Sequence, residues 1–445
     1  DAAERAAAKR ALLEAHHGLA RRAAVRCAVL LKNDAVAPPP DTAAGAPSPS
    51  PSATPLLPLR RADSLALIGS FAEAPRYQGA GSSRINAPRI DTPLEALRQA
   101  SAGGVRYVQG YEPGTPRERP DQVEEAVAAA KAARTTVLLV GLPSSFECEG
   151  FDREHMRLPT QMNALVEAVS AVTSRLVVVL LAGSPCELPW LERAPCVLLM
   201  GLPGQAVGGA MADLLFGDAP PTGKLAETWP LKLSDCPSTR NFAPQHSRRQ
   251  VVYREGLRVG YRHFAGRPVA FAFGHGLSYT SFEYRDLRLS AAAIGTAEPL
   301  HLSLTLANTG TVEAAEVVQL YVHPRARAVP NAQPRPEVEL RAFAKVRLMP
   351  GASTRVSLAL RPRDFAFYDV AAEGATGAAK GAWCVAPGAY ELRVGSSSSD
   401  VRLAAAVQVG ETAAAAEAGK AAAARAARAA AKARAAAGWG AAAAA

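Results

Sequence analysis

Four unbroken aliphatic runs set the outer limit on what this chain can fold into: Leu65-Ala66-Leu67-Ile68-Gly69, Thr136-Val137-Leu138-Leu139-Val140-Gly141, Leu176-Val177-Val178-Val179-Leu180-Leu181 and Cys196-Val197-Leu198-Leu199-Met200. A strand with one wet face alternates apolar and polar residues, so a continuous run marks a strand covered on both faces. Helical segments fall between them at Thr92–Ser101, Asp121–Arg134, Thr160–Ser174 and Gln205–Phe216. That rhythm predicts an α/β domain: an open, mostly parallel sheet with helices on both faces, whose ligands gather at the carboxyl ends of the strands.

After about residue 285 the pattern changes. His301-Leu302-Ser303-Leu304-Thr305-Leu306, Val317–Val322, Arg355–Leu360 and Tyr390–Val394 are short alternating strands, separated by Asn308-Thr309-Gly310, Pro350-Gly351 and Pro387-Gly388. Alternation with turn signals predicts an all-β antiparallel sandwich. Upstream of both domains, residues 1–32 read as a helix with Leu12, Leu13, Leu19 and Val25 on one face, running into the strand-like Cys27–Asp34. A Pro/Ser/Ala-rich insertion at 35–59 and an Ala/Arg-rich tail at 411–445 are low in complexity.

The net charge of +10 invites a nucleic-acid reading, but the two ends, residues 1–34 and 411–445, carry +6 of it. The remaining body is nearly neutral, with no basic stripe interleaved with aromatics, which argues against nucleic-acid partners. The six cysteines, at positions 27, 148, 186, 196, 236 and 384, form no CxxC pair and have no histidine at ligand spacing, so no metal site and no cofactor is expected. Cys196, inside an aliphatic run, reads as a buried free thiol, and disulfides stay open. No apolar signal core and no run of about 18 apolar residues supports secretion or membrane spanning, and the localisation is left unknown.

Two loops could carry chemistry. Phe146-Glu147-Cys148-Glu149-Gly150-Phe151-Asp152-Arg153-Glu154 crowds four carboxylates just past a buried strand. It is either a solvated loop in which Asp152 and Arg153 pair or cap the next helix, or a general-acid loop in which like-charged neighbours and partial burial keep one carboxyl protonated. The other is Arg76-Tyr77-Gln78-Gly79-Ala80-Gly81-Ser82-Ser83-Arg84. It begins like G-x-G-x-x-G, but Arg84 stands at the third glycine and no helix opens directly after it, which argues against a dinucleotide site and for a tight hydroxyl-rich loop. No G-x-S-x-G nucleophile elbow is present.

These segments together resemble glycoside hydrolase family 3, of the β-glucosidase/β-xylosidase type that ends in a fibronectin type III-like domain. The resemblance runs through Ala28–Asn33, Arg76–Ser83, Asp91-Thr92-Pro93-Leu94, Glu147–Arg153, Gly183-Ser184-Pro185-Cys186-Glu187-Leu188-Pro189-Trp190 and Asp213–Asp218. It continues through Pro221–Leu225, Tyr253-Arg254-Glu255-Gly256 with Val259-Gly260-Tyr261-Arg262, Phe273–Tyr279, Asn308–Gly310 and Arg341–Val346. It implies a retaining β-glycosidase whose aspartate nucleophile lies on a barrel domain and whose acid/base glutamate lies on the α/β domain. The Glu-Gly-(Phe/Tyr)-Asp-Arg pattern places the acid/base on Glu149, with Glu147 as second choice. Ser82, Gly81 and Gln78 would contact a β-linked glucoside or xyloside, while Asp152 and Arg153 would hold the loop.

The implied domains are a residual barrel helix at 1–25, the α/β domain at 26–265, a linker at 266–299, the fibronectin type III-like sandwich at 300–410 and the tail. No Ser-Asp-Trp type nucleophile motif is found: Ser234-Asp235 is followed by Cys236-Pro237. The nucleophile is therefore expected on a barrel supplied in cis or in trans, without which the chain should hydrolyse glycosides poorly. The alternative is a non-catalytic carbohydrate-binding or accessory subunit. Trp190 and Trp229 read as core anchors, His275 as a brace at the domain junction, and Asn308 and Gly310 as structural.

Overall fold

The computed structural model describes residues 1–37, 52–114, 119–241, 253–325, 335–370 and 381–410. Most of the 35–59 insertion and the whole 411–445 tail lie outside the described residues. The chain opens with helix α1 (Ala2–Cys27), started by a capping box between Asp1 and Glu4. Strand β1 (Val29–Asn33) follows, then β2 (Leu65–Ile68), α2 (Pro93–Ala100), β3 (Val105–Val108), α3 (Pro120–Ala132), β4 (Thr135–Gly141), α4 (Thr160–Ser170), β5 (Leu176–Leu181), β6 (Cys196–Leu199) and α5 (Val207–Phe216).

The strands form one sheet in the order β1-β6-β5-β4-β2-β3. It is parallel except for β1, which runs antiparallel to β6 along one edge. The continuous runs are buried on both faces, as their lack of alternation requires: all residues of β2, β4, β5 and β6 are buried. Each fully buried Leu, Ile or Val contributes about 1.5–3 kcal/mol relative to exposure, so this layer dominates the stability of the domain. Because β3 lies on one side of β2 and β4 on the other, the chain reverses its direction of travel across the sheet at β2. The crevice between the carboxyl ends of β2 and β4 is thus a topological switch point.

The amphipathic reading of α1 needs correction. Leu12 and Leu19 are 55% and 57% exposed, and the buried residues are His17, Ala24 and Val25. An Ala-rich helix offers little apolar contrast, and this one docks through polar contacts instead. His17 Nε2 lies 2.7 Å from Asp91 Oδ2, and Arg21 forks onto Asp213 of α5 at 2.7 and 2.5 Å.

The second domain is a sandwich of two sheets. Its strands are β7 (Phe282–Leu289), β8 (Ala293–Ile294), β9 (Leu300–Asn308), β10 (Ala314–Pro324), β11 (Glu339–Leu348), β12 (Ser353–Leu360), β13 (Gly388–Gly395) and β14 (Val401–Val409), with a small pair, Ala366–Asp369 and Ala382–Val385, inserted between β12 and β13. One sheet runs β8-β14-β13-β10-β11 and the other β12-β9-β7. Strand β7 lies within the span read as a linker, yet it pairs with β9 and belongs to the sandwich.

Asn308 anchors the β9 turn. It is 1% exposed, donates to the carbonyls of Leu348 and Val312, and accepts from the Gly310 N–H and the Thr280 hydroxyl. Trp190 and Trp229 are buried, and Trp190 Nε1 donates to Asn163 at 2.9 Å. His275 Nε2 sits 2.8 Å from the Leu31 carbonyl and stacks on Phe271, tying the segment before the sandwich to β1. Across the junction Lys224 pairs with Glu316 at 2.8 Å, and the buried Gln319 donates to the carbonyls of Gly274 and Ser396. The six cysteines are free, with Cys186 and Cys196 buried. No described helix is long and apolar enough to cross a membrane.

Candidate active site

Both chemistry-bearing loops emerge at the switch point. The strand β2 is followed by Gly69, whose φ of 118° and close approach to the Leu139 backbone admit no side chain. The chain then runs through the hydroxyl-rich loop to Asp91, while β4 ends at Gly141 and leads into the acidic loop.

Arg76 links the two loops. Its Nε donates to the Leu142 carbonyl at 3.1 Å and its Nη2 to the Glu147 carbonyl at 2.7 Å. The Tyr77 carbonyl accepts from the Gly204 N–H at 2.8 Å, fixing the first loop to the segment after β6.

The four carboxylates do not crowd. Glu147 turns inward: Oε2 accepts from the Gly183 N–H at 3.0 Å, Oε1 accepts from the Ser184 hydroxyl at 2.6 Å, and Arg76 Nη2 lies 3.9 Å away. Arg153 completes that anchor by donating from Nη1 to Ser184 Oγ at 2.8 Å and to the Pro185 carbonyl at 3.2 Å. Asp152 is exposed and makes no side-chain hydrogen bond or ion pair with a described residue, so it neither pairs with Arg153 nor caps α4, whose N-cap is Pro159.

Glu149 turns the other way, out to the tip. Its Oε2 accepts from the Ser82 N–H at 2.6 Å and from the Ser82 hydroxyl, and its own N–H reaches the Ala80 carbonyl at 3.4 Å. Gly81 makes this approach possible. Its φ is 89°, and a Cβ there would stand 2.5 Å from Glu149 Cβ and 2.7 Å from Oε2. Gln78 has both amide atoms engaged within its own loop: Oε1 accepts from the Ile85 N–H and Nε2 donates to the Ile85 carbonyl, each at 2.9 Å.

Of the two readings of the acidic loop, the general-acid one needs like charges and burial to keep a carboxyl protonated; in the structure the Ser82 hydroxyl, and after it the Ser82 amide, hold the solvent-exposed Glu149 carboxyl below its ordinary value. Glu227 carries the raised carboxyl, because of burial and then the nearby charge of Glu147. It stands in Ala226-Glu227-Thr228-Trp229, a stretch with no acidic cluster to single it out. Among the described residues no group of three His, Cys, Asp or Glu side chains could hold a metal ion.

The α/β domain thus presents a carboxylate at its switch point and is joined to a mostly antiparallel sandwich. Residues 28–279 match the glycosyl hydrolase family 3 C-terminal domain and residues 316–398 the fibronectin type III-like domain. The chain belongs to glycoside hydrolase family 3. It is 40% identical over 403 residues to thermostable β-glucosidase B of Acetivibrio thermocellus, covering 90% of this chain and 49% of that protein. It is 36% identical over 400 residues to an exo-α-(1→6)-L-arabinopyranosidase of Bifidobacterium longum, covering 89% of this chain and 49% of that protein. Among solved structures, the family 3 β-glucosidase of Bifidobacterium adolescentis superposes with a TM-score of 0.77 at 35% identity, over 89% of this chain and 54% of that one. The chain therefore spans about half the length of the relatives it matches.

Proposed function

We propose that this chain supplies the acid/base half of a retaining β-glucosidase, with Glu149 as the proton donor. The observation that carries the reading is the contrast between the two candidate glutamates: Glu147 has both oxygens committed to the loop after β5, whereas Glu149 stands in solvent with Oε2 on Ser82. Only the second can reach a glycosidic oxygen.

In this mechanism the protonated Glu149 gives its proton to the departing oxygen while a carboxylate from a barrel domain, about 5 Å away, attacks the anomeric carbon. The glycosyl–enzyme is then hydrolysed by water, which loses its proton to the Glu149 carboxylate. With the Ser82 bonds in place Glu149 is ionised near neutral pH. Protonation follows when substrate displaces water and the attacking carboxylate adds a like charge, both of which raise its pKa. Ser82 and Gly81 position that carboxyl beside the sugar, and Gln78 fixes the loop that holds them. A β-glucoside is the favoured substrate, in keeping with the relatives named as β-glucosidases.

The test is the leaving-group dependence of Glu149→Gln in a protein that joins this chain to the family's barrel. Alkyl glucosides should lose about 10²–10⁴-fold in kcat/KM, and activated aryl glucosides far less, because a good leaving group needs no proton. Equal losses for both would reject the acid role.

A further inference from the structure

The motif Tyr253-Arg254-Glu255-Gly256 with Val259-Gly260-Tyr261-Arg262 takes no part in the loop pair around Glu149. Its residues help to wall a separate cavity of about 740 Å³. Lys232, Arg254, Arg258 and Arg267 line it against Asp235 and Glu255, an excess of two positive charges before His263 is counted.

Elsewhere many guanidinium groups of this molecule are matched to carboxylates, as in Arg21–Asp213, Arg61–Asp218, Arg347–Glu313 and Arg402–Asp400. The side chains of Arg254, Arg258 and Arg267 form no hydrogen bond or ion pair with a described residue, although two carboxylates line the same cavity. Burial, and then the charge of Arg267 with a smaller part from Arg258, pull the His263 imidazole below its ordinary value, against the opposing hydrogen bond with the Asp235 backbone.

A second observation points to the ligand. Glu255 Oε2 is buried and has no hydrogen-bond partner among the described residues. A carboxylate oxygen withdrawn from water calls for a donor, which a fully ionised anionic group lacks and a neutral hydroxyl supplies. The cavity thus asks for an anionic group and a hydroxyl in one molecule. An excess of two charges suits a phosphate, which carries about −1.5 to −2 at neutral pH, better than a carboxylate.

We propose that this cavity binds a small phosphorylated sugar, its phosphate held by Arg254, Arg258 and Arg267 and a hydroxyl donating to Glu255. The proposal does not depend on the role of Glu149. The cavity is nonetheless connected to the chain just past the acidic loop: the N–H of Leu233, between the lining residues Lys232 and Ser234, donates to Glu187 Oε1 at 2.9 Å, and the Glu187 N–H donates to the Met156 carbonyl at 2.8 Å.

Calorimetry on the whole chain at fixed ionic strength, with glucose 6-phosphate, inorganic phosphate, glucose and glucuronate as probes, tests it. Glucose 6-phosphate should bind saturably and shift the His263 ring resonances, with inorganic phosphate about tenfold weaker and glucose and glucuronate giving no comparable shift. The double substitution Arg258→Ala/Arg267→Ala should weaken glucose 6-phosphate about 30-fold or more, since two charge-assisted bonds are lost. Glu255→Ala should lower the preference for glucose 6-phosphate over phosphate about tenfold, even if removing a negative charge tightens both. All three arginines are exposed, and melting curves matching the parent protein establish that the variants fold. Absence of saturable binding, equal affinity for glucose 6-phosphate and phosphate, binding that leaves His263 unshifted, or indifference to the arginine substitutions would each overturn the proposal.

Discussion

The base and the tip of the acidic loop lie two residues apart and do opposite things. At the base, Glu147 and Arg153 converge on Ser184, and Arg76 holds the Glu147 carbonyl. At the tip, among the described residues, Glu149 is held only by Ser82 and the Ala80 carbonyl, both on a neighbouring loop. The base behaves as part of the core, although its carboxylate looks in sequence like a site residue. The tip is presented to solvent and can change partners. A loop that must deliver a carboxyl to a reacting atom needs both: a rigid base to fix the direction and a tip whose bonds are weak enough to be exchanged for substrate.

Removing the base should have the largest effect. Glu147→Ala takes an acceptor from the Gly183 N–H and the Ser184 hydroxyl and leaves the nearly buried Arg76 without its nearest carboxylate. A loss of about 2–3 kcal/mol is expected in urea unfolding of the α/β domain. A change below about 0.5 kcal/mol would mean that the base is no better anchored than the tip. The joint between the loops comes next. Gly81→Ala puts a Cβ onto Glu149 at a φ that disfavours L-residues, costing about 1–2 kcal/mol, and separates Ser82 from the carboxylate. If Glu149 kept its depressed pKa in that variant, the loops would not be joined as described.

What could be read from the sequence follows the same division between local and distant causes. The double-sided sheet was legible because β2, β4, β5 and β6 each carry their burial in their own residues. Strand β3 was not, since Val105-Arg106-Tyr107-Val108 is an edge strand that alternates and sends Arg106 to solvent. Strand β7 was hidden for a related reason: Phe282–Leu289 is rich in charge, sits at the edge of its sheet and is broken by Asp286 at a φ of 57°. In α1 the apolar face suggested by Leu12 and Leu19 failed because the helix docks through His17 and Arg21, whose partners Asp91 and Asp213 are 74 and 192 residues away. The roles within the acidic loop have the same origin. Nothing local separates Glu147 from Glu149; Gly183, Ser184 and Ser82 do.

The finest test of the tip is electrostatic. The Ser82 hydroxyl is the largest of the influences that lower the Glu149 pKa, and the Ser82 amide is the next. Both donate to the ionised form, so removing the hydroxyl must raise the pKa, and only part of the way, because the amide remains. In Ser82→Ala, carboxyl NMR titration of this chain should therefore place Glu149 higher than in the parent protein yet still below an ordinary glutamate. The sign carries over to stability. A carboxyl depressed in the folded state contributes above its unfolded pKa, about 4.3, and loses that contribution as pH falls through the folded value. The small acid sensitivity of the loop contact should then diminish in Ser82→Ala, with stability at neutral pH barely changed. The consequence for a joined enzyme is sharper. If Glu149 is the acid, the alkaline limb of kcat/KM reports its protonation in the free protein, and the higher pKa moves that limb to higher pH. A limb that stays in place while the NMR titration moves would separate the carboxyl that Ser82 holds from the one that donates the proton.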